Sequence, residues 1–286
     1  MRAGPPQCRS GRENNGATST SPSIAQRGDR ESPGAHPRDG APRRCLHRGT
    51  SGKESTPPRS IGENLAVRTQ FTAELIALTN DLTQMCTLAH DAVERVTDAL
   101  VDADLTATYE VFALDEQLQK MYGACEARTV VLLALQAPVA RDLRHVVTAI
   151  QIAGELSRIG WLASRVADQV YRSHPGHAAE QPIQDILAAM GKLAAERTAL
   201  AGRAVAGQHP LPEEETPADR SMETLHQQLH SALRDPASQP PTAVAIDIAL
   251  LGHHLERCAD HTARIERLIR FLDTGVPPTA QPTDDE

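Results

Sequence analysis

The chain has 286 residues, with 29 Lys and Arg against 37 Asp and Glu, and seven aromatic side chains in all. An excess of acidic groups repels phosphate backbones, and so few aromatic rings leave little surface on which bases could stack. Binding to DNA or RNA is therefore disfavoured.

The first 66 residues differ in composition from the rest of the chain. They contain no aromatic residue, 9 of the 18 glycines and 8 of the 20 prolines, and they carry a net charge of +5. Such a segment buries too little apolar surface to offset the entropy lost on ordering, so residues 1–66 are predicted to be a disordered tail. A start codon assigned too early, with initiation at Val67, is the alternative explanation. The remainder carries a net charge of −13, and its acidic end at 279–286 is predicted to be a second disordered tail.

Beyond the tail, apolar residues recur at alternating spacings of three and four, the pattern of helices with one buried face. No run of alternating apolar and polar residues indicates a strand, so the chain is predicted to be all-α. Pro and Gly clusters such as Pro240-Pro241 and Gly275 separate the periodic segments. Six helices are predicted: the first three lie over residues 67–99, 105–135 and 138–173, and the apolar positions of the last three span 186–200, 222–233 and 244–272.

The third and sixth predicted helices match each other at a constant offset of 99 residues, which places Arg165 over Arg264 and Leu156 over Leu255. Such a match indicates an internal repeat of three helices. Long helices with short connections pack antiparallel. The fold is therefore predicted to be two tandem three-helix bundles, at 67–178 and 179–278.

Cysteine usage and hydropathy bear on the cellular compartment. Cys86, Cys125 and Cys258 fall on the apolar stripes and form no Cys-x-x-Cys pair, which predicts buried free thiols in a reducing cytoplasm. The longest uninterrupted apolar run, at 130–135, is far too short to span a membrane.

Two pairs of carboxylates are candidate metal ligands. Glu256 and Asp260 lie four residues apart on the sixth helix, and Asp219 and Glu223 lie four apart on the fifth. Each pair projects from one helix face, and antiparallel packing of the two helices would bring the pairs together. Hard cations such as magnesium, manganese and iron accept oxygen ligands of this kind. The alternative is that both pairs belong to solvated surfaces.

The equivalent positions in the first half have lost most of their charge: they are Asp115, Gln119, Ser157 and Trp161. No metal site of the same kind is expected there, and Trp161 is predicted to be a packing residue.

Other catalytic signatures are weak. Glu223 and His226 form one Glu-x-x-His, a motif that di-iron bundles use twice. The chain contains no Gly-x-Ser-x-Gly nucleophile motif and no phosphate-binding loop. We therefore expect a protein that is not an enzyme, with a metal-dependent oxidase or phosphohydrolase as the alternative.

Two segments resemble the PhoU family of bacterial phosphate-transport accessory proteins. QAPVARDLR at 136–144 is similar to the family's QxPVAxDLR, and LERCADH at 255–261 to its LERxADH. The resemblance implies two three-helix bundles whose E/D-x-x-x-D motifs carry a divalent or multinuclear metal, which would be iron, manganese, zinc or magnesium. Matched by position, the metal ligands would be Asp219, Glu223, Glu256 and Asp260.

The same resemblance implies a role in phosphate homeostasis. Members of this family are negative regulators that link the ATPase subunit of a phosphate ABC transporter to a sensor histidine kinase when phosphate is plentiful. It further implies a cytoplasmic homodimer that contacts the membrane complexes only peripherally. The third hypothesis for the function is a plain helical scaffold that binds another partner.

Overall fold

The structure is a computed structural model that describes residues 61–208, 217–235 and 240–280. Within these ranges the regular structure is entirely helical, which confirms the all-α prediction. None of the described helices is long and apolar enough to cross a membrane. Residues 1–60 and 281–286 of the predicted tails lie outside the described residues. The helices are α1 (Ile61–Asp102), α2 (Leu105–Gln136), α3 (Ala140–Ser173), α4 (Ile183–Val205), α5 (Pro217–Arg234) and α6 (Thr242–Thr274). Residues 61–66 belong to α1 and residues 279–280 to a short 3-10 helix, so the prediction of disorder is wrong there.

Local sequence explains several of the helix ends. The Asp104 side chain accepts a 2.7 Å hydrogen bond from the Thr106 N–H and so caps α2. As predicted, α6 ends at Gly275, which adopts a left-handed conformation with φ of 78°. The third helix begins two residues later than predicted. Val139 is extended, so Pro138 precedes α3 and does not lie in its first turn.

The six helices form two groups of three. Helices α1, α2 and α3 contact one another, as do α4, α5 and α6, and the two groups meet through α1 with α4 and α3 with α6. The predicted arrangement of two three-helix bundles is therefore confirmed, whereas the exact repeat boundaries stay a prediction. Among the described residues, α2 and α5 contact only helices of their own group, so four central helices carry the interface between the halves.

The core follows the apolar spacing of each helix. Cys86, Cys125 and Cys258 are buried and unpaired, as predicted, and burial raises the pKa of the Cys86 and Cys258 thiols to about 12. Helix α1 shows the pattern most clearly, since buried residues recur along it at alternating spacings of four and three. These residues are Leu78, Leu82, Met85, Ala89, Ala92, Val96 and Ala99.

Small residues set the distance between the two halves at the crossing of α1 and α4. A Cβ atom added to Gly191 would lie 2.8 Å from Thr97 Cγ2 and 3.1 Å from Thr97 Cβ. The buried Thr97 hydroxyl donates a 2.7 Å hydrogen bond to the Val93 carbonyl, which holds this side chain in place. The two backbones therefore approach as closely as they do because position 191 has no side chain.

We expect Gly191→Ala to lower the free energy of unfolding by about 1–3 kcal/mol, because the extra methyl group overpacks a fixed contact. Chemical denaturation of the full chain measures this loss. The matched control is Gly123→Ala in α2, where an added Cβ meets no atom within 4 Å. The control should be stabilised by up to about 1 kcal/mol through helix propensity. Equal effects of the two substitutions would contradict the close-packing argument.

Candidate functional site

Three of the four predicted metal ligands line one surface cavity of about 370 Å³ between α5 and α6. Glu223 comes from α5, and Glu256 and Asp260 come from α6. The side chain of the fourth, Asp219, lies outside the described residues. The cavity is of mixed charge, because four guanidinium groups line it beside the three carboxylates: Arg197, Arg257, Arg264 and Arg267.

Each of the three carboxylates has its own hydrogen-bonding partner. Glu256 Oε1 lies 2.7 Å from His226 Nδ1, Asp260 accepts from Arg257 at 3.0 Å, and Glu223 accepts from Gln227 at 3.0 Å. Their oxygens fit a hard cation chemically, but they do not converge on one point.

Among the described residues, a different group of side chains has its potential metal-ligand atoms close together. It comprises His90, Asp91 and Glu94 on α1, whose ligand atoms lie within 4.8 Å of one another. Metal binding by Asp219, Glu223, Glu256 and Asp260 therefore stays a prediction.

The first-half equivalents of these positions come together as well, but as a largely neutral cluster. The Gln119 amide donates to Asp115 at 2.9 Å and to the Ser157 carbonyl at 3.1 Å, and the Ser157 hydroxyl donates to Gln119 Oε1 at 2.8 Å. The interhelical bonds hold α2 and α3 together. Trp161, the fourth position, is 48% exposed, and Arg165 lies over its ring at 5.0 Å.

A buried carboxylate next to the cavity joins the two halves of the molecule. Glu155 of α3 lies 2.6 Å from His261 Nδ1 and 3.0 Å from Arg264 Nε, both on α6. Burial raises the pKa of this carboxyl, but the hydrogen bond from His261 and the charge of Arg264 outweigh burial. The pKa of Glu155 therefore lies below its ordinary value.

On the other repeat, the position equivalent to Glu155 carries an imidazole and not a carboxylate. His254 lies 99 residues after Glu155, and its ring meets the edge of Trp161 at a centroid distance of 6.5 Å. Burial lowers the pKa of His254, and the nearby charges of His253 and Arg165 lower it further. A neutral imidazole therefore takes the place of the ionised carboxylate.

Two features of this region were not predicted. Glu155 finds partners more than a hundred positions away in sequence, and no local motif indicates such a contact. The second feature is His230, whose Nε2 lies 3.1 Å from His226 Nε2. Its signal was present, because two histidines four residues apart on a helix share one face.

Glu155→Gln should lower the free energy of unfolding by about 1–3 kcal/mol at neutral pH, because it replaces the charged acceptor of two hydrogen bonds. The folded pKa is depressed, so the stabilisation is present above the unfolded pKa and is lost as pH falls through the folded value. The difference between wild type and variant should therefore shrink below roughly pH 4.

Urea denaturation at several pH values measures this difference. Glu116→Gln is the control, since Glu116 pairs with Lys120 where both side chains are about 70% exposed, and it should change nothing measurable. A difference for Glu155→Gln that does not vary with pH would contradict the ionic role.

The chain is similar in sequence to proteins of one known family. The family model described as the PhoU domain matches residues 82–170. The phosphate-specific transport system accessory protein PhoU homolog 2 of Mycobacterium tuberculosis is 37% identical over 217 residues, which cover 74% of this chain and 100% of that protein. PhoU homolog 1 of Mycobacterium leprae is 37% identical over 213 residues, with 74% and 96% covered.

Solved structures have the same fold. The chain matches the phosphate transport system regulatory protein PhoU of Streptococcus pneumoniae with a TM-score of 0.58 at 24% identity, covering 72% of this chain and 97% of that one. PhoU of Pseudomonas aeruginosa matches with a TM-score of 0.54 at 25% identity, covering 72% and 99%. Since the mycobacterial relatives match along almost their whole length at 37% identity, the chain belongs to the PhoU family.

Proposed function

We propose that this protein is a regulator of phosphate transport that acts by binding other proteins. The observation that carries the proposal is the 37% identity to relatives named as phosphate-specific transport system accessory proteins. The partners we propose are the ATPase subunit of a phosphate ABC transporter and a phosphate-responsive sensor histidine kinase. By binding both, the protein restrains phosphate uptake and phosphate-regulon signalling when phosphate is plentiful.

The geometry of the carboxylate cavity favours this role over metal-dependent catalysis. A bundle enzyme needs its metal ligands in a cavity that excludes water. The Asp260 side chain is 51% exposed and pairs with Arg257, which is itself 47% exposed. Charged side chains on an open face suit recognition of a charged partner surface, where they govern specificity and the rate of association.

An exposed apolar surface supplies a second contact region for the proposed partners. It lies where α2 ends and α3 begins, and we call it the α2–α3 tip. Leu135 and Val139 are 73% and 74% exposed there. Exposed apolar patches of this kind mark interaction sites more often than ordinary surface. The tip comprises Val130, Val131, Leu133, Leu135, Val139, Leu143 and Val147.

The proposal can be tested by capture of purified partners. The full chain, immobilised, is incubated with the transporter ATPase subunit and, separately, with the cytoplasmic part of the sensor kinase from the same cell. We expect the wild-type chain to retain both. Leu135→Glu/Val139→Glu should weaken capture at least about tenfold, because charged groups would have to be desolvated in the apolar contact.

Ile246→Glu is the matched control, since Ile246 is 57% exposed at the start of α6 and lies outside the α2–α3 tip. It should bind as the wild type does. Retention of neither partner by the wild-type chain would contradict the coupling role and favour the scaffold or enzyme alternatives. Unchanged capture by the double variant would contradict the assignment of the tip.

A further inference from the structure

The histidine pair of α5 brings two imidazole nitrogens close together. We propose that His226 and His230 bind a divalent transition-metal ion, for which Zn²⁺ is the probe of choice, through their Nε2 atoms. The two Nε2 atoms lie 3.1 Å apart, and the ring centroids lie 4.6 Å apart. This site differs from the predicted acidic one in its donor atoms, which are imidazole nitrogens, and it does not depend on the proposed function.

The contact with Glu256 determines which nitrogen of His226 is available. An ionised carboxylate can only accept a hydrogen bond, so Nδ1 of His226 carries the proton that is donated to Glu256 at 2.7 Å. In the neutral ring, Nε2 therefore carries the lone pair, and it points towards His230. Metal-bound histidines commonly donate their second N–H to a carboxylate in this way, which orients the ring and raises its basicity.

The separation of the two nitrogens matches a shared ion. Tetrahedral zinc binds imidazole nitrogen at about 2.0–2.1 Å, which places two such nitrogens roughly 3.3 Å apart. The observed 3.1 Å is within a few tenths of an ångström of that value. Without metal, His230 can donate its Nε2 proton to His226. On binding, this proton moves to Nδ1 of His230, which leaves the Nε2 lone pair free for the ion.

The surrounding groups favour a metal that prefers nitrogen over a hard cation. Glu223 is engaged by Gln227 and Asp260 by Arg257, which leaves the imidazoles as the convergent donors. Zinc, copper and nickel accept imidazole ligands readily. His226 is 23% exposed and His230 is exposed, so an ion can reach the pair from solvent, and water completes its coordination.

The test measures Zn²⁺ binding to the full chain without a histidine tag, by titration calorimetry near pH 7.5. We expect one site that His226→Ala or His230→Ala weakens at least about tenfold. Glu256→Gln should weaken it by roughly ten- to a hundredfold, as loss of an orienting carboxylate does. His90→Ala and Asp260→Asn are controls, the first for the histidine and acid group on α1 and the second for the acidic motif.

Copper provides a spectroscopic readout of the ligand atoms themselves. With one equivalent of Cu²⁺, the electron paramagnetic resonance spectrum should show coupling to two imidazole nitrogens, which falls to one in either single variant. Circular dichroism confirms that the variants fold. A zinc affinity that is unchanged in His230→Ala overturns the proposal, and so does an affinity that falls in His90→Ala or Asp260→Asn but not in His226→Ala.

Discussion

Burial of the four central helices constrains the rest of the molecule. Helices α1, α3, α4 and α6 bring the apolar faces of both halves together, so a polar group trapped between them costs free energy unless it finds a partner there. The Thr97 hydroxyl donates a hydrogen bond to a carbonyl of its own helix, and Glu155 pairs with His261 and Arg264. The outer helices α2 and α5 are free of this constraint, which leaves their exposed faces available for function.

The two halves have used the same backbone positions in different ways. Where α2 meets α3, Gln119 and Ser157 form an uncharged hydrogen-bonded pair. Where α5 meets α6, the corresponding positions are Glu223 and Glu256, which are accompanied by histidines and arginines. A neutral pair needs no counterion and serves to hold helices together, whereas carboxylates beside imidazoles can exchange partners. One bundle therefore carries an uncharged structural contact at these positions, while the other carries ionisable groups.

Much of the fold was predictable because the signals are local. Apolar spacing predicted the six described helices. Gly275 predicted the end of α6, because the left-handed backbone conformation that ends the helix is one that glycine adopts readily. The candidate site was predictable only in part. Sequence spacing placed Glu256 and Asp260 on one face, but their observed partners depend on how α5 docks. The contact between Glu155 and His261 depends on how the two repeats pack against each other. No short sequence pattern encodes that packing.

The position of α5 gives its histidines a significance beyond ligation. In the part of the chain that the structure describes, this helix contacts α4 and α6 alone, and the hydrogen bond from His226 to Glu256 connects it to α6. An ion that binds only when His226 is oriented by Glu256 also binds only when α5 is docked. By thermodynamic linkage, such an ion stabilises the docked helix according to its concentration relative to its dissociation constant. The free metal level of the cell would then set the fraction of molecules whose outer helix is held against the bundle.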